Sequence, residues 1–225
     1  YYGGPPPLYK VKAKPCPSGS YDTRLLDIIG LQSGEAFLDV ACGEGRILSE
    51  AEKHFTEGVL CGIDISEVAL WRARNRLSTA CLICADVNDG LPFADNSFNK
   101  VTCIGSLEHF QRQSFVVREI GRVLRPGGKA LFLLPNDHYI LHHLGYETDQ
   151  QPVIKRYSLH GWLKLLNQNG LPVLAVAKEN AHLKNLSESS SYLKHLLKLL
   201  VHPFADLLPM RWSFNFIITC ANSKE

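Results

Sequence analysis

The residues best suited to chemistry form the run Leu38-Asp39-Val40-Ala41-Cys42-Gly43-Glu44-Gly45-Arg46. This run closes a short apolar strand and opens a helix. Gly43 and Gly45 let backbone approach a ligand closely, and the free N–H groups of a helix start favour a ligand's negative group. Asp64 ends the next apolar run, about twenty residues on, where an acid binds ribose hydroxyls. Asp86 ends the third run. Open α/β sheets bind ligands beyond the carboxyl ends of their strands, so three acids at three successive strand ends face one crevice.

Two phosphate-binding readings fail on residue type. A dinucleotide fingerprint wants G-x-G-x-x-G, but Leu48 holds the third glycine position. Asp39, just before the loop, would repel a pyrophosphate and suits a cationic ligand better. A P-loop is excluded because no Gly-Lys-Ser/Thr follows the turn.

Other candidates are weaker. His109 follows the fourth strand and is read in two ways, as a general base at the mouth of the site or as a helix-start residue bonded to backbone. Asn136 and Asp137, past the fifth strand, are candidates to face a substrate. Seven cysteines invite a metal or disulfide reading. The number is odd, and most sit in apolar runs. Cys81 and Cys84 are three residues apart on a strand and therefore point to opposite faces. No second C-x-x-C follows, so no metal site is expected. Buried, reduced thiols imply a reducing compartment, hence the cytoplasm.

The elements that must hold these residues alternate. Helices are expected over Ser20–Ile29, Arg46–Phe55, Ser66–Leu77, Gln113–Leu124 and Ser158–Asn169. Strands are expected over 36–41, Val59–Asp64, Ala80–Asp86, Asn99–Ile104 and Lys129–Leu134. Such alternation means right-handed β-α-β units and a parallel sheet, an α/β doubly wound fold with helices on both faces. Leu174–Lys178 and Phe214–Ala221 lack a usual crossover between them and are expected to pair antiparallel. The chain is read as one domain, with an N-terminal arm over 1–17 and substrate-cap inserts over 136–157 and 179–211. Within the second insert, 193–208 carries a leucine stripe. It is read as a helix packed over the sheet or on a partner subunit in a homodimer, or as an apolar tunnel or peripheral membrane contact.

Composition narrows the partners. The chain has 225 residues, 45% hydrophobic and 20% charged, enough to bury one sizeable core. Its formal charge of +2 argues against a nucleic-acid coat and favours a small molecule over a polyanion as ligand. No apolar run is long enough to span a bilayer, and the start is not read as a signal peptide.

These residues resemble a known family. Asp39–Gly45 resembles motif I of the class I S-adenosylmethionine-dependent methyltransferases, D/E-x-G-x-G-x-G. Gly62-Ile63-Asp64-Ile65-Ser66 resembles their second-strand acidic motif, and Ala85-Asp86-Val87 their adenine-binding motif. Leu91-Pro92-Phe93-Ala94-Asp95-Asn96-Ser97-Phe98 is similar to the L-P-F-x-D-x-S-F stretch of the small-molecule, type 11 subgroup that includes ubiquinone and menaquinone methyltransferases. Ser106-Leu107-Glu108-His109 and Arg122–Gly128 follow in the family's order. The likeness covers Leu31 to about Ala177, and Phe214–Ala221 fits the family's last, antiparallel strand of a seven-stranded Rossmann-like sheet.

The resemblance implies S-adenosyl-L-methionine as cofactor, with S-adenosyl-L-homocysteine as product. Motif I, with Asp39, Ala41, Cys42, Gly43 and Gly45, would hold the methionine part. Asp64 would bind the ribose hydroxyls, with Ile65 against the adenine. Asp86 would accept from the adenine amino group, and the Val87 N–H would reach a ring nitrogen. Ile104, Gly105 and Ser106 would sit beside the sulfonium. Ala41 replaces the motif's first glycine, which costs little if its φ is negative. Asn99 replaces an Asp at a position read as structural. Some quinone O-methyltransferases hold a metal on E-x-x-E-H, but Gly105 stands at the first acid position here. The alternatives are an RNA or protein methyltransferase, a non-catalytic binding protein of the same fold, and a nicotinamide oxidoreductase.

Overall fold

A computed structural model describes residues 20–54, 57–138, 155–179, 209–210 and 213–222. The arm over 1–17, the leucine stripe over 193–208 and most of both inserts lie outside the described residues.

The chain begins with α1 (Tyr21–Ile29). Ser20 caps it by accepting from the Thr23 N–H, and Gly30 ends it in a left-handed conformation at φ +68°. Then follow β1 (Ala36–Val40), α2 (Arg46–His54), β2 (Val59–Asp64), α3 (Glu67–Arg74), β3 (Cys81–Cys84) and β4 (Phe98–Ile104). The second half holds α4 (Gln113–Val123), β5 (Leu124–Pro135), α5 (Leu159–Gln168), β6 (Val173–Glu179) and β7 (Asn215–Ala221).

The strands form one seven-stranded sheet in the order β3-β2-β1-β4-β5-β7-β6. The first five strands pair in parallel. β7 runs antiparallel to both neighbours, lying between β5 and β6. Strand order reverses between β1 and β4, which opens a crevice at their carboxyl ends.

Most strand residues are apolar because both faces of the sheet are covered. Along β5, Ala130, Phe132 and Leu134 pack on one side with Trp162, Val116 and Ile120. Leu131 and Leu133 pack on the other with Leu25, Phe37 and Leu48. Trp162 is fully buried, and its indole N–H donates to Pro135 O at 2.8 Å.

Several motif residues are structural. Arg122 donates to the carbonyls of Leu91 and Phe93 and pairs with Asp95 and Glu119. Phe93 meets Phe98 edge-on at 4.9 Å between ring centres. The stretch 91–97 is thus a loop fastened to α4, and Phe98 opens β4. Asn99 Oδ1 accepts from the Ala36 N–H and from the Arg125 guanidinium, each at 3.0 Å, the structural role expected of it. Asn136, a candidate to face a substrate, is instead buried. Its amide donates to Ser213 O at 2.8 Å, and its Oδ1 accepts from the His138 N–H. It ties the end of β5 to the approach to β7. The cysteine expectation is corrected in part. Cys42, Cys61, Cys103 and Cys220 are buried, but Cys81 and Cys84 are exposed because β3 is an edge strand.

Candidate functional site

A cavity of about 550 Å³ opens at the carboxyl ends of β1 to β4. Its size falls within the range of cofactor and ligand pockets. The ends of β1, β2 and β3 bring Ala41, Gly43, Asp64, Ile65, Asp86 and Val87 to its lining, and the end of β4 brings Gly105, Ser106 and His109.

Asp64 organises the floor. Its Oδ2 accepts from the Gly43 N–H and its Oδ1 from the Ser66 N–H, both at 2.8 Å. Each oxygen keeps a second lone pair for a ligand hydroxyl. Gly62 lets β2 run close under the loop, since an added Cβ would lie 2.7 Å from Cys42 Sγ and from a Leu48 methyl. Ile65 follows with two thirds of its surface exposed, an apolar shelf beside the acid.

Asp86 caps the short 3-10 turn Val87–Asp89. Its Oδ1 accepts from the Asn88 N–H at 2.8 Å and the Asn88 side-chain amide at 2.9 Å. Val87 is buried behind it. After β4, Gly105 turns at φ +58°, and Ser106 Oγ donates to Ile104 O at 3.0 Å. The turn Leu107–His109 follows. The His109 N–H donates to Ser106 O at 3.0 Å, while its largely buried ring borders the cavity. The backbone bond is the one expected of a turn-start residue, and the ring's place is at the edge of the cavity.

Four expected site residues stand behind the cavity wall. Asp39 is buried, and its Oδ1 accepts from Thr102 Oγ1 at 2.7 Å. Burial pushes its carboxyl up to about 7, against the pull of the Thr102 bond and the Arg46 charge. Cys42 is buried, and its N–H donates to Ile63 O at 3.0 Å. Ile104 packs against the core. Gly45, at φ +71°, is demanded by packing, because an added Cβ would lie 2.7 Å from Leu77 Cδ1 and 3.2 Å from Ala73 Cβ.

Ala41 corrects an expectation. Its φ is +55°, not negative, so its methyl sits in the left-handed region that costs an L-residue about 1–2 kcal/mol. The flanking bonds hold it there, Cys42 N–H to Ile63 O and Gly43 N–H to Asp64 Oδ2.

Ser66 and Ala85, quoted in the two acidic motifs without a role, also line the cavity, and Asn88, Phe110 and Gln111 line it and escaped the sequence reading. Ser66 and Asn88 sit two residues after the two acids, the spacing at which Asp bonds a following N–H in an Asx turn. Among the described residues, no three His, Cys, Asp or Glu side chains converge as metal ligands. The donor and acceptor set suits a ligand that pairs vicinal hydroxyls with an amino-bearing aromatic ring.

Residues 38–132 match a family described as a methyltransferase domain. The 27-O-demethylrifamycin SV methyltransferase of Amycolatopsis mediterranei is 34% identical over 116 residues, covering 47% of this chain and 40% of the relative. A demethylmenaquinone methyltransferase of Listeria monocytogenes is 36% identical over 109 residues, covering 46% of each. The chain thus spans less than half the length of these relatives. Among solved structures, a chain from a Haloferax volcanii complex with the Trm112 methyltransferase activator aligns with TM-score 0.71 and 18% identity. It covers 90% of this chain and 88% of that one. Such a likeness establishes the fold.

Proposed function

We propose that this chain, which has the class I methyltransferase fold, uses S-adenosyl-L-methionine to methylate a small-molecule acceptor by in-line displacement. The observation that carries the reading is Asp64, held by Gly43 and Ser66 in the lining of a cavity that Asp86 also lines. Two acids and an exposed Ile65 match the needs of a ribose and an adenine. When bound, the cofactor supplies a methyl group already activated on a sulfonium.

The protein's own work is then to bind, orient and exclude water. Asp64 accepts from the ribose hydroxyls. Asp86 accepts from the adenine amino group, and Ile65 covers one face of the ring. The Ala41–Gly45 loop accommodates the methionine end. Gly105 and Ser106 shape the space for the reacting carbon. His109 removes a proton where the acceptor must lose one.

Relatives named for demethylmenaquinone and demethylrifamycin SV support a small-molecule acceptor. The near-balanced charge supports it against RNA. A single domain and a cytoplasmic site of action belong to the same proposal, supported by the one sheet and the free thiols. Among the described residues, no helix is long and apolar enough to cross a membrane.

Calorimetry with S-adenosylhomocysteine tests the reading. Saturable one-site binding is expected, and its absence in a folded sample overturns the proposal. Binding without methyl transfer to any of a panel of phenols, quinols and amines would favour the non-catalytic alternative.

A further inference from the structure

We propose that Asn88 is a positioning residue that aims the Asp86 carboxylate and so sets a preference for adenine over hypoxanthine. The inference rests on the cofactor reading above. It deepens that reading by naming a residue which selects the base.

The geometry is a chain of four hydrogen bonds. The Asn88 backbone N–H and side-chain amide both donate to Asp86 Oδ1, at 2.8 and 2.9 Å. Asn88 Oδ1 accepts from the Arg112 N–H at 3.0 Å, and Asn88 O from the Arg112 guanidinium at 2.8 Å. That guanidinium lies 4.0 Å from the centre of the Phe115 ring, which anchors it on α4.

This chain fixes the direction of every group. Turning the Asn88 amide over would set its NH2 against the Arg112 N–H and its oxygen against Asp86 Oδ1, losing both bonds. Both Asn88 donors fall on one oxygen of Asp86. Among the described residues no hydrogen bond engages the other, Oδ2. Asp86 and Asn88 both line the cavity. An ionised carboxylate only accepts, so Oδ2 selects a donor. Adenine presents an amino group, whereas hypoxanthine presents a carbonyl oxygen. Asp86 is half-buried, and once a ligand covers it an acceptor left facing another acceptor is penalised more than a weakened bond.

The test is calorimetry on wild type, Asn88→Ala and Asn88→Asp, with S-adenosylhomocysteine and S-inosylhomocysteine as probes. Circular dichroism and thermal melts establish that each variant is folded. Wild type is expected to prefer the adenosyl ligand by about tenfold or more, equivalent to one hydrogen bond. In Asn88→Ala the preference is expected to shrink to about threefold or less, through weaker adenosyl binding. Asn88→Asp keeps the acceptor for Arg112 but sets a carboxylate against Asp86, and is expected to bind the adenosyl ligand more weakly than Asn88→Ala. A general loss of structure would weaken both ligands alike and leave their ratio unchanged. Folded variants that keep the wild-type ratio overturn the role of Asn88 and leave the cofactor reading standing. A wild type that binds neither ligand overturns the cofactor reading itself.

Discussion

The backbone N–H of Gly43 donates to Asp64 Oδ2 at 2.8 Å, joining the loop after β1 to the end of β2. The Ser66 N–H holds the other oxygen at the same distance. The acid that faces the cavity is therefore also the clasp of the loop that lines it. Asp64→Ala removes the acceptor for two N–H groups and for the ligand hydroxyls. Hydrogen bonds to a charged group contribute about 1.5–3 kcal/mol each. S-adenosylhomocysteine affinity is expected to fall about a hundredfold or more. Calorimetry on the folded variant reads it, and an affinity close to wild type would contradict the assignment.

Ala41 yields a stability prediction of opposite sign. Glycine adopts φ +55° without the Cβ clash, which is worth about 1–2 kcal/mol. Greater freedom of the unfolded chain returns about 0.5–1 kcal/mol of that gain. Ala41→Gly is expected to raise stability by roughly 0.5–1 kcal/mol, and Ala41→Val to lower it, because a branched Cβ tolerates positive φ worse. Urea midpoints compared across the three proteins decide this. A destabilised glycine variant would show that Ala41 is not strained.

Much of this arrangement was legible in the chain because it is local. The apolar runs of β1, β2 and β4 announce a buried parallel sheet, and the strand-end rule picks out Asp64 and Asp86. What escaped depends on contacts between distant elements. Gly45 reads as a ligand-approach glycine, yet Leu77 on the segment after α3 is what leaves no room for a Cβ. Asn136 reads as a substrate contact, yet its amide bonds to Ser213 across 77 positions. Ala41's backbone is set by Ile63 and Asp64, which no spacing within motif I encodes. Cys81 and Cys84 are exposed because β3 lies at the edge, and strand order is a property of the whole sheet.

The thiols divide by that topology, and their reactivity should follow. Burial pushes the Cys61 thiol up to about 11 and raises those of Cys42, Cys103 and Cys220 further. A disulfide reagent at neutral pH is expected to modify Cys81 and Cys84 quickly and these four slowly, until urea unfolds the chain. A Cys16→Ser background removes the cysteine outside the described residues. Peptide mapping after brief labelling identifies the modified sites, and early labelling of Cys103 or Cys220 would contradict the burial.

Asp39 gives the chain a pH dependence that can be isolated by one substitution. Its carboxyl titrates at about 7 in the folded protein, chiefly because burial disfavours its charge. In the unfolded chain it titrates at about 3.9. Between those values the native state holds the proton more tightly, so this group's contribution to stability falls as pH rises and levels off above 7. The loss amounts to a few kcal/mol, because each pH unit separating the two titrations corresponds to about 1.4 kcal/mol. In Asp39→Asn the side-chain amide still offers an oxygen to Thr102 Oγ1 and has no charge to bury. The stability of Asp39→Asn relative to wild type is therefore expected to improve from pH 5 to pH 7, by more than about 1 kcal/mol, and to level off by pH 8. Other titrating groups act on both proteins and cancel in the difference. Parallel stability curves from urea unfolding across that range would show that Asp39 is already ionised when the chain is folded.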